Sequence, residues 1–294
     1  MTKTAFLAIV GRPNVGKSTL LNTVCGEKIA IVSNKPQTTR NRITGIYTKG
    51  EDQFVFLDTP GIHKPRTALG DYMVKTANGS IGEADAILLV VEPVPSVGDI
   101  EAGILEKIRA SKTPAILVVN KVDEHTPADI AATIAAYAAV YDFAAVVPIS
   151  AKSGKGVDAL FEEASKFLYE SVWYFPEDAV TDQPERQIAA EIIREKLLRT
   201  LNKEIPHGTA VVIEEFKEEK NIIRIRAEIF CEKASHKGII VGKNGAALKL
   251  VGTYAREDLE KFLGTKVYLN LWVKVKENWR ESAATVGNFG YRDE

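Results

Sequence analysis

Cysteine is scarce. The two in the 294-residue chain, Cys25 and Cys231, lie far apart with no metal-type spacing. That excludes a disulfide framework and a thiolate cluster, and it suits two free thiols in a reducing compartment. An excess of either charge is missing as well. The chain has 38 Lys and Arg against 39 Asp and Glu, for a formal net charge of −1. No global field therefore draws it to nucleic acid or to a membrane, and any such binding has to be local. Long apolar runs are absent. AFLAIV (Ala5–Val10) is too short for a secretory signal and is interrupted by Gly11, and no run approaches the roughly twenty residues of a membrane span. Repeats and low-complexity tracts are also lacking, and a cytoplasmic location follows by default. The 45% hydrophobic content is that of a globular protein, and the length suits two domains.

What is present begins directly after AFLAIV. GRPNVGKST comprises Gly11, Arg12, Pro13, Asn14, Val15, Gly16, Lys17, Ser18 and Thr19. A phosphate chain needs many inward-facing N–H donors, and glycines at 11 and 16 let the backbone wrap closely. Lys17 can reach the β- and γ-phosphates, and the Ser18 hydroxyl can sit on Mg²⁺. A helix starting near Lys17 adds its free N–H groups and positive dipole end. G-x-x-x-x-G-K-[ST] arises by chance in roughly one in a hundred chains of this length. The loop alone does not choose between ATP and GTP, or between a kinase and a switch.

The first half alternates short apolar runs with helical patterns. Strands are expected at Ala5–Val10, Arg42–Thr48, Gln53–Asp58, Ala86–Glu92, Pro114–Asn120 and Ala144–Ser150. Most are continuously apolar, which suits burial on both faces. Helices are expected from KSTLLNTVCG, DYMVKTANGSIG, DIEAGILEKIRA, PADIAATIAAYAAVY and VDALFEEASKFLYE. This is the pattern of a doubly wound, mostly parallel α/β sheet, whose chemistry lies outside the carboxyl ends of the strands.

Those strand ends name the nucleotide. Asp58 opens DTPG; its carboxylate can hold Mg²⁺ through water, and the Gly61 N–H can meet a γ-phosphate. NKVD ends a later strand. Asp123 can accept the ring N–H and exocyclic amine of guanine, a donor pair that adenine lacks. Asn120 can tie the base loop to the phosphate loop, and the Lys121 stem can cover the purine. Ser150, Ala151 and Lys152 end the next strand, and their backbone can meet the guanine oxygen. Each tetrapeptide is weak alone; in this order at strand ends they point to a GTPase.

The polar segment between Lys28 and Arg42 has the position of a switch loop, where one threonine would ligate the metal and read the γ-phosphate. Thr38 and Thr39 are both candidates, and Thr39 is favoured. Many GTPases carry Gln directly after the D-x-x-G glycine to orient the attacking water. Ile62 stands there and cannot hydrogen-bond, so slow turnover is expected. Asn14 is a candidate ligand for a monovalent cation such as K⁺, which would supply the charge of an arginine finger; the alternative is that it only stabilises its loop. The catalytic set is then Lys17, Thr39, Gly61 and Asn14.

Near Ser171 the pattern changes. The expected division is a G domain over residues 1–170, a linker over 171–185, and a smaller α+β domain with a C-terminal tail over 186–294. The order of the second domain reads α-β-β-α-α-β, that of a type II KH fold. Its G-K-N-G loop, Gly242, Lys243, Asn244 and Gly245, follows an apolar run and precedes a helix. In a KH module such a loop clamps a nucleic-acid backbone beside an apolar groove for bases. Ile239, Ile240, Val241 and Leu248 are the expected groove wall. Lys233, His236, Lys237 and Lys249 cluster around the loop in the sequence. From Ser171 onward there are twenty acidic and twenty basic residues, so binding would be local and read through single-stranded bases.

GRPNVGKSTLLN, PQTTRNRITGI, DTPGIHKP, NKVD and SAKSGKG, with GIIVGKNG in the second half, resemble the bacterial Era GTPases over essentially the whole chain. The resemblance implies GTP hydrolysis to GDP, binding of 16S ribosomal RNA near its 3′ end, and a role in assembling the small (30S) ribosomal subunit. It leaves peripheral contact with the inner face of the cell membrane open. It implies that Gly11 to Thr19 hold the phosphates, that Ser18 and Thr39 ligate Mg²⁺ directly and Asp58 through water, and that Asn120, Lys121, Asp123 and Ser150 to Lys152 hold guanine. It also implies that Gly242 to Gly245 bind RNA. Ile62 agrees with a family lacking the catalytic Gln. Action as a monomer is expected. The competing readings are a KH module that binds nucleotide with negligible turnover, and a P-loop kinase. His63 reads as part of an exposed loop; Trp173, Trp272 and Trp279 as packing residues; Glu214, Glu215, Glu218 and Glu219 as a solvated hairpin tip.

Overall fold

The computed structural model describes residues 1–33, 35, 37–62, 65–201 and 205–292. The chain divides into two compact units, Met1–Pro65 with Met73–Asp182, and Arg66–Tyr72 with Gln183–Glu294.

The first unit runs β1 (Lys3–Val10), α1 (Lys17–Cys25), β2 (Ile43–Lys49), β3 (Asp52–Asp58), α2 (Ala68–Glu83, whose first turn clusters with the second unit), β4 (Ala86–Val91), α3 (Asp99–Ser111), β5 (Ala115–Val119), α4 (Pro127–Ala138), β6 (Ala145–Pro148), α5 (Val157–Ala164) and β7 (Tyr169–Glu170). The strands order β2-β3-β1-β4-β5-β6, parallel except for β2, which returns antiparallel beside β3. Alternation along each strand feeds two cores. Leu7, Ile9, Leu88 and Ile116 pack on one side of the sheet with α1 and α5; Ala8, Val10, Leu89 and Leu117 pack on the other with α2, α3 and α4. Thr126 caps α4 in a reciprocal box with Asp129, with Pro127 in the first turn.

Two sequence expectations change here. The last helix of this unit stops at Ala164 rather than running to Glu170, and Tyr169–Glu170 pairs antiparallel with Lys3 and Thr4. β4 pairs with β1 only from Leu7 onward, so the first residues of β1 offer an unpaired edge that β7 fills. Residues 171–182 are not a free linker. Ser171 donates to the Thr2 carbonyl, Gln53 bonds the backbone of Tyr174 and Phe175, the Val180 carbonyl accepts from Ile46, and the Thr181 hydroxyl donates to Thr44. The boundary therefore falls after Asp182. An exposed backbone with no sheet partners reads as linker in a sequence; here β1–β3 supply the partners.

The second unit contains α6 (Glu185–Thr200), β8 (Ala210–Glu219), β9 (Ile222–Cys231), α7 (Ala234–Val241), α8 (Ala246–Leu263), β10 (Lys266–Val275) and α9 (Ala283–Asn288). β9 is central, antiparallel to β8 and parallel to β10. Ile225, Ala227, Ile229, Val267 and Val273 project from one face of this sheet into a core with Ile192, Ile193, Leu197, Val251, Ala255 and Leu259 from α6 and α8. Lys196 of α6 also bonds Asp258 of α8.

The tail, to which the sequence assigned nothing, closes part of the opposite sheet face. Phe289 stacks on Phe230 at 4.4 Å and meets Trp279 at 5.3 Å. Trp279 is fully buried, and its indole donates to the Gly208 carbonyl at 2.9 Å. Trp173 is half-buried and donates to Glu51, whereas Trp272 is 58% exposed, against the expectation of packing. Most of the acidic hairpin is exposed as expected, while Glu215 is half-buried. Trp279→Ala removes a buried ring and orphans the Gly208 carbonyl, so denaturant unfolding of the second unit should show a loss of about 3–5 kcal/mol. An unchanged midpoint would mean that the tail is not part of this core.

Candidate nucleotide site and nucleic-acid groove

The phosphate loop joins β1 to α1. Gly16 precedes α1 at φ 99°, and a Cβ there would lie 2.2 Å from Asn120 Nδ2. At Gly11 a Cβ would lie 2.4 Å from the Val90 carbonyl oxygen. Both glycines are thus required by contact as well as conformation. Val15 is buried beneath the loop. Asn120 donates to the Val15 carbonyl at 2.8 Å and accepts the Ala151 N–H at 2.8 Å. One amide so joins its own loop to the loop before α1, the pair the sequence proposed, and also to the loop after β6. The N–H groups of Ser150 and Ala151 are committed to the Lys155 carbonyl and to Asn120, and neither is left for a base.

Lys17 is buried, and its ammonium donates to the carbonyls of Gly11 at 3.1 Å and Arg12 at 2.9 Å. Burial lowers its pKa to about 8 against the raising effect of Asp58. Asp58 is fully buried, and burial pushes its pKa up to about 6 despite Lys17 and the hydroxyls of Ser18 and Thr39. Ser18 Oγ lies 2.8 Å from Thr39 Oγ1 and donates to Asp58 Oδ2 at 2.7 Å; Thr39 Oγ1 lies 3.5 Å from that oxygen. Thr38 instead donates to the Lys35 carbonyl at 2.6 Å. It is therefore Thr39 that meets Ser18 and Asp58. Asp58 Oδ1 is buried without a hydrogen-bond partner among the described residues. Two hydroxyls beside a carboxylate with one unmatched oxygen suit a hard divalent cation such as Mg²⁺.

A cavity of about 450 Å³ lies over these groups. Pro13, Asn14, Thr19, Gly61 and Lys152 line it, as do Val32, Ser33 and Gln37 of the switch segment. A Cβ on Gly61 would press within 2.8 Å of Pro13. Ile62 is buried in the core, and its N–H donates to the Gly11 carbonyl at 3.3 Å. His63 lies outside the described residues.

Two partners were not read from the sequence. Glu92 pairs with Lys121, which also lines the cavity, and with Arg12 at 2.8 Å; Glu101 meets Arg12 at 3.5 Å. Arg12 thus turns toward carboxylates rather than into the cavity. Glu92 follows a strand in AILLVVE, and only the sheet order brings it between the two loops. Asp123 is exposed beside this wall, and a hydrogen bond from Ser150 holds its pKa below the ordinary carboxylate range.

In the second unit the Gly242–Gly245 turn joins α7 to α8. Gly242 (φ 74°) would place a Cβ 2.7 Å from that of Ala247; Asn244 and Gly245 also have positive φ, at 51° and 79°. Lys243 and Asn244 are exposed at its tip. The adjoining groove, about 460 Å³, runs between α8 and the free edge of β10 and is lined by Gly245, Leu248, Lys249, Gly252, Arg256 and Leu271, among others. Ile240 is corrected. It is 0% exposed in the core and cannot wall the groove, because the short α7 turns it inward while Ile239 faces out. Lys233, His236 and Lys237 lie on or beside α7 and do not line the groove. Arg256, Tyr268 and Leu271 do, although no local motif marks them.

A phosphate cradle closed by a guanine-type loop, on a sheet of this order, defines a P-loop GTPase, and the second unit defines a KH domain. The family model described as 50S ribosome-binding GTPase matches residues 6–121, and that of the KH domain matches residues 204–280. GTPase Era of Clostridioides difficile (strain 630) is 53% identical over 296 residues, covering all of both chains. GTPase Era of Clostridium kluyveri is 51% identical over 99% of this chain and all of that one. Two solved Era structures each match at a TM-score of 0.94 and 40% identity over 99% of both chains. One is a complex with MgGDPNP and nucleotides 1506–1542 of 16S ribosomal RNA; the other is a single-substitution variant of Aquifex aeolicus Era bound to GDP·AlF4⁻. The chain belongs to the Era GTPase family.

Asn120→Ala orphans the Val15 carbonyl and the Ala151 N–H together, each worth about 1–3 kcal/mol when left buried and unpaired. GTP and GDP affinities by calorimetry should both fall at least about tenfold. Equal affinities in mutant and wild type would remove the tether from the account.

Proposed function

We propose that this chain is a GTP-hydrolysing switch that binds 16S ribosomal RNA through its KH unit and acts in small-subunit assembly. The observation that carries the reading is one chain joining the Ser18–Thr39–Asp58 cluster to a G-K-N-G groove. The Era complex with MgGDPNP and a 16S fragment supports it.

The backbone from Gly11 to Thr19 and the Lys17 ammonium hold the phosphates of GTP. Ser18 and Thr39 would hold Mg²⁺ directly and Asp58 through water, and the ion would offset charge on the β- and γ-phosphates. Gly61 presents its backbone to the γ-phosphate. Asp123 pairs with guanine, the Lys121 stem covers it, and Lys152 faces its oxygen. Ile62 offers the attacking water no hydrogen bond, so intrinsic turnover is slow. Asn14 shares the cavity with the switch segment, which supports a K⁺ ligand role for it. RNA backbone lies on Gly242 to Gly245, with Lys243 and Lys249 offsetting phosphate charge and bases entering along β10. GTP and RNA affinities are linked reciprocally. A cytoplasmic location belongs to the same proposal and is supported by two free cysteines; no described helix is long and apolar enough to cross a membrane.

Phosphate release in K⁺ and in Na⁺, with and without single-stranded RNA matching the 3′ end of 16S rRNA, tests the switch. Faster release with RNA is expected in the wild type and not in Lys243→Asp/Asn244→Asp. Rates indifferent to an RNA that still binds would uncouple the two activities. Asp123→Asn should move preference from GTP toward xanthosine triphosphate, measured by competition. Retained guanine preference would displace Asp123 from the base.

A further inference from the structure

We propose that Glu92 is a positioning residue for the bound nucleotide, anchoring the Lys121 ammonium so that the lysine stem is held across the purine and slows release of GTP and GDP. The inference rests on the reading of Lys121 above as the cover of the guanine, and adds the group that holds that cover in place.

The sheet brings the two residues together. Val91 of β4 is in register with Val119 of β5, and the Asn120 N–H donates to the Val91 carbonyl at 2.8 Å. Glu92 is the first residue beyond β4, and Lys121 the second beyond β5. Lys121 has a left-handed backbone, at φ 61°, which is uncommon for a residue with a Cβ. Its ammonium donates to Glu92 Oε1, while Arg12 Nη2 donates to Glu92 Oε2 at 2.8 Å. Both oxygens of the carboxylate are thus engaged by cations. Arg12 is held in turn by Glu101 at 3.5 Å. Glu101 is buried against Gly98, where a Cβ would lie 2.8 Å from Glu101 Oε2. A chain of ion pairs so runs from α3 through the phosphate loop and the end of β4 to the guanine loop.

Of these four side chains, Lys121 is the one that lines the nucleotide cavity, so Glu92 acts on a ligand through it. Two carboxylates balance two cations, and the cluster therefore brings no net charge to the site and no general attraction for phosphate. What it supplies is restraint. A lysine stem is flexible and gives up that freedom when it packs on a ligand. Pairing its end with Glu92 imposes much of that loss before the nucleotide arrives, so the cover is preorganised. The Glu92 side chain is 23% exposed, where an ion pair is screened less than on open surface. Burial pushes the Glu92 pKa up, but hydrogen bonds from Lys121 and Arg12 outweigh it and hold the carboxyl below the ordinary carboxylate range. The anchor is therefore charged at neutral pH. Asp123, which reads the base edge, takes its hydrogen bond from Ser150 instead. Holding the purine and identifying it are thus separate tasks of one loop.

The test is a double-mutant cycle on the full chain, read by calorimetric GDP affinity, the GDP dissociation rate and steady-state GTP hydrolysis. Glu92→Gln keeps the size of the side chain and removes its charge. GDP affinity should fall at least about fivefold, mostly as faster dissociation. Because intrinsic turnover is slow, KM reports binding; KM for GTP should rise by the same factor, with kcat little changed. Lys121→Ala should lose at least as much, and Glu92→Gln should cost nothing further in the Lys121→Ala background. Glu92→Asp, which keeps the charge, should retain more affinity than Glu92→Gln. Glu92→Gln should weaken GTP and xanthosine triphosphate alike, unlike Asp123→Asn. Unchanged GDP affinity in Glu92→Gln, with affinity lost in Lys121→Ala, would overturn the anchor and leave the purine cover standing. Undiminished affinity in Lys121→Ala would overturn both. A Glu92→Gln loss of equal size with and without Lys121 would assign Glu92 to Arg12 and the phosphate loop, and would also overturn the proposal. A kcat that falls while KM stays constant would do the same.

Discussion

The nucleotide site depends on the side-chain amide of Asn120. It donates to the loop before α1 and accepts from the loop after β6, and the backbone it reaches is buried. Two hydrogen bonds from one rigid group fix two loops of distant sequence at a common distance from the base-binding wall. The constraint acts on its neighbour too, since at Gly16 any side chain would collide with the donating nitrogen. The phosphate loop and the guanine loop are therefore one mechanical part. The Glu92 carboxylate between Arg12 and Lys121 reinforces the same joint from the outer side.

Beside that joint the site is held in tension. Asp58 and Lys17 are both buried, and burial moves their pKa values in opposite directions, each toward neutrality. Oppositely displaced titrations in one cleft mark a place built to receive charge rather than to be stable without it. The hydroxyls of Ser18 and Thr39 share one oxygen of Asp58 while the other goes unmatched. A phosphate-bound cation answers both the unmatched oxygen and the displaced charges. The second unit follows a different logic. Its helices bury one face of a short sheet and its tail buries one end of the other face, where Tyr268 and Trp272 stay exposed.

Much of the site could be read from the chain because its chemistry is local. Gly11, Gly16, Lys17 and Ser18 sit within one loop, and the spacing itself is the geometry a phosphate requires. DTPG, NKVD and SAK each end a strand, and parallel order alone delivers them to one edge of the sheet. The G-K-N-G turn is similarly self-contained, because positive φ and close approach are properties of a few residues.

What the sequence could not supply was decided by partners distant along the chain. Ile240 and Ile239 are equivalent as letters, and only the packing of α7 on the sheet sends one into the core and the other to solvent. Residues 171–182 read as linker until β1–β3 offer them hydrogen bonds. Glu92 becomes a bridge once β4 lies beside β1 and β5. Trp272 and Trp279 stand seven positions apart with the same apolar ring. One is fully buried against Gly208 and Phe289, and the other faces water on an edge strand. The sequence determined the phosphate-loop, NKVD, SAK and G-K-N-G segments, since spacing and backbone conformation are properties of short stretches. The tertiary structure decided which side chains the core leaves exposed, because burial depends on what arrives from elsewhere in the chain.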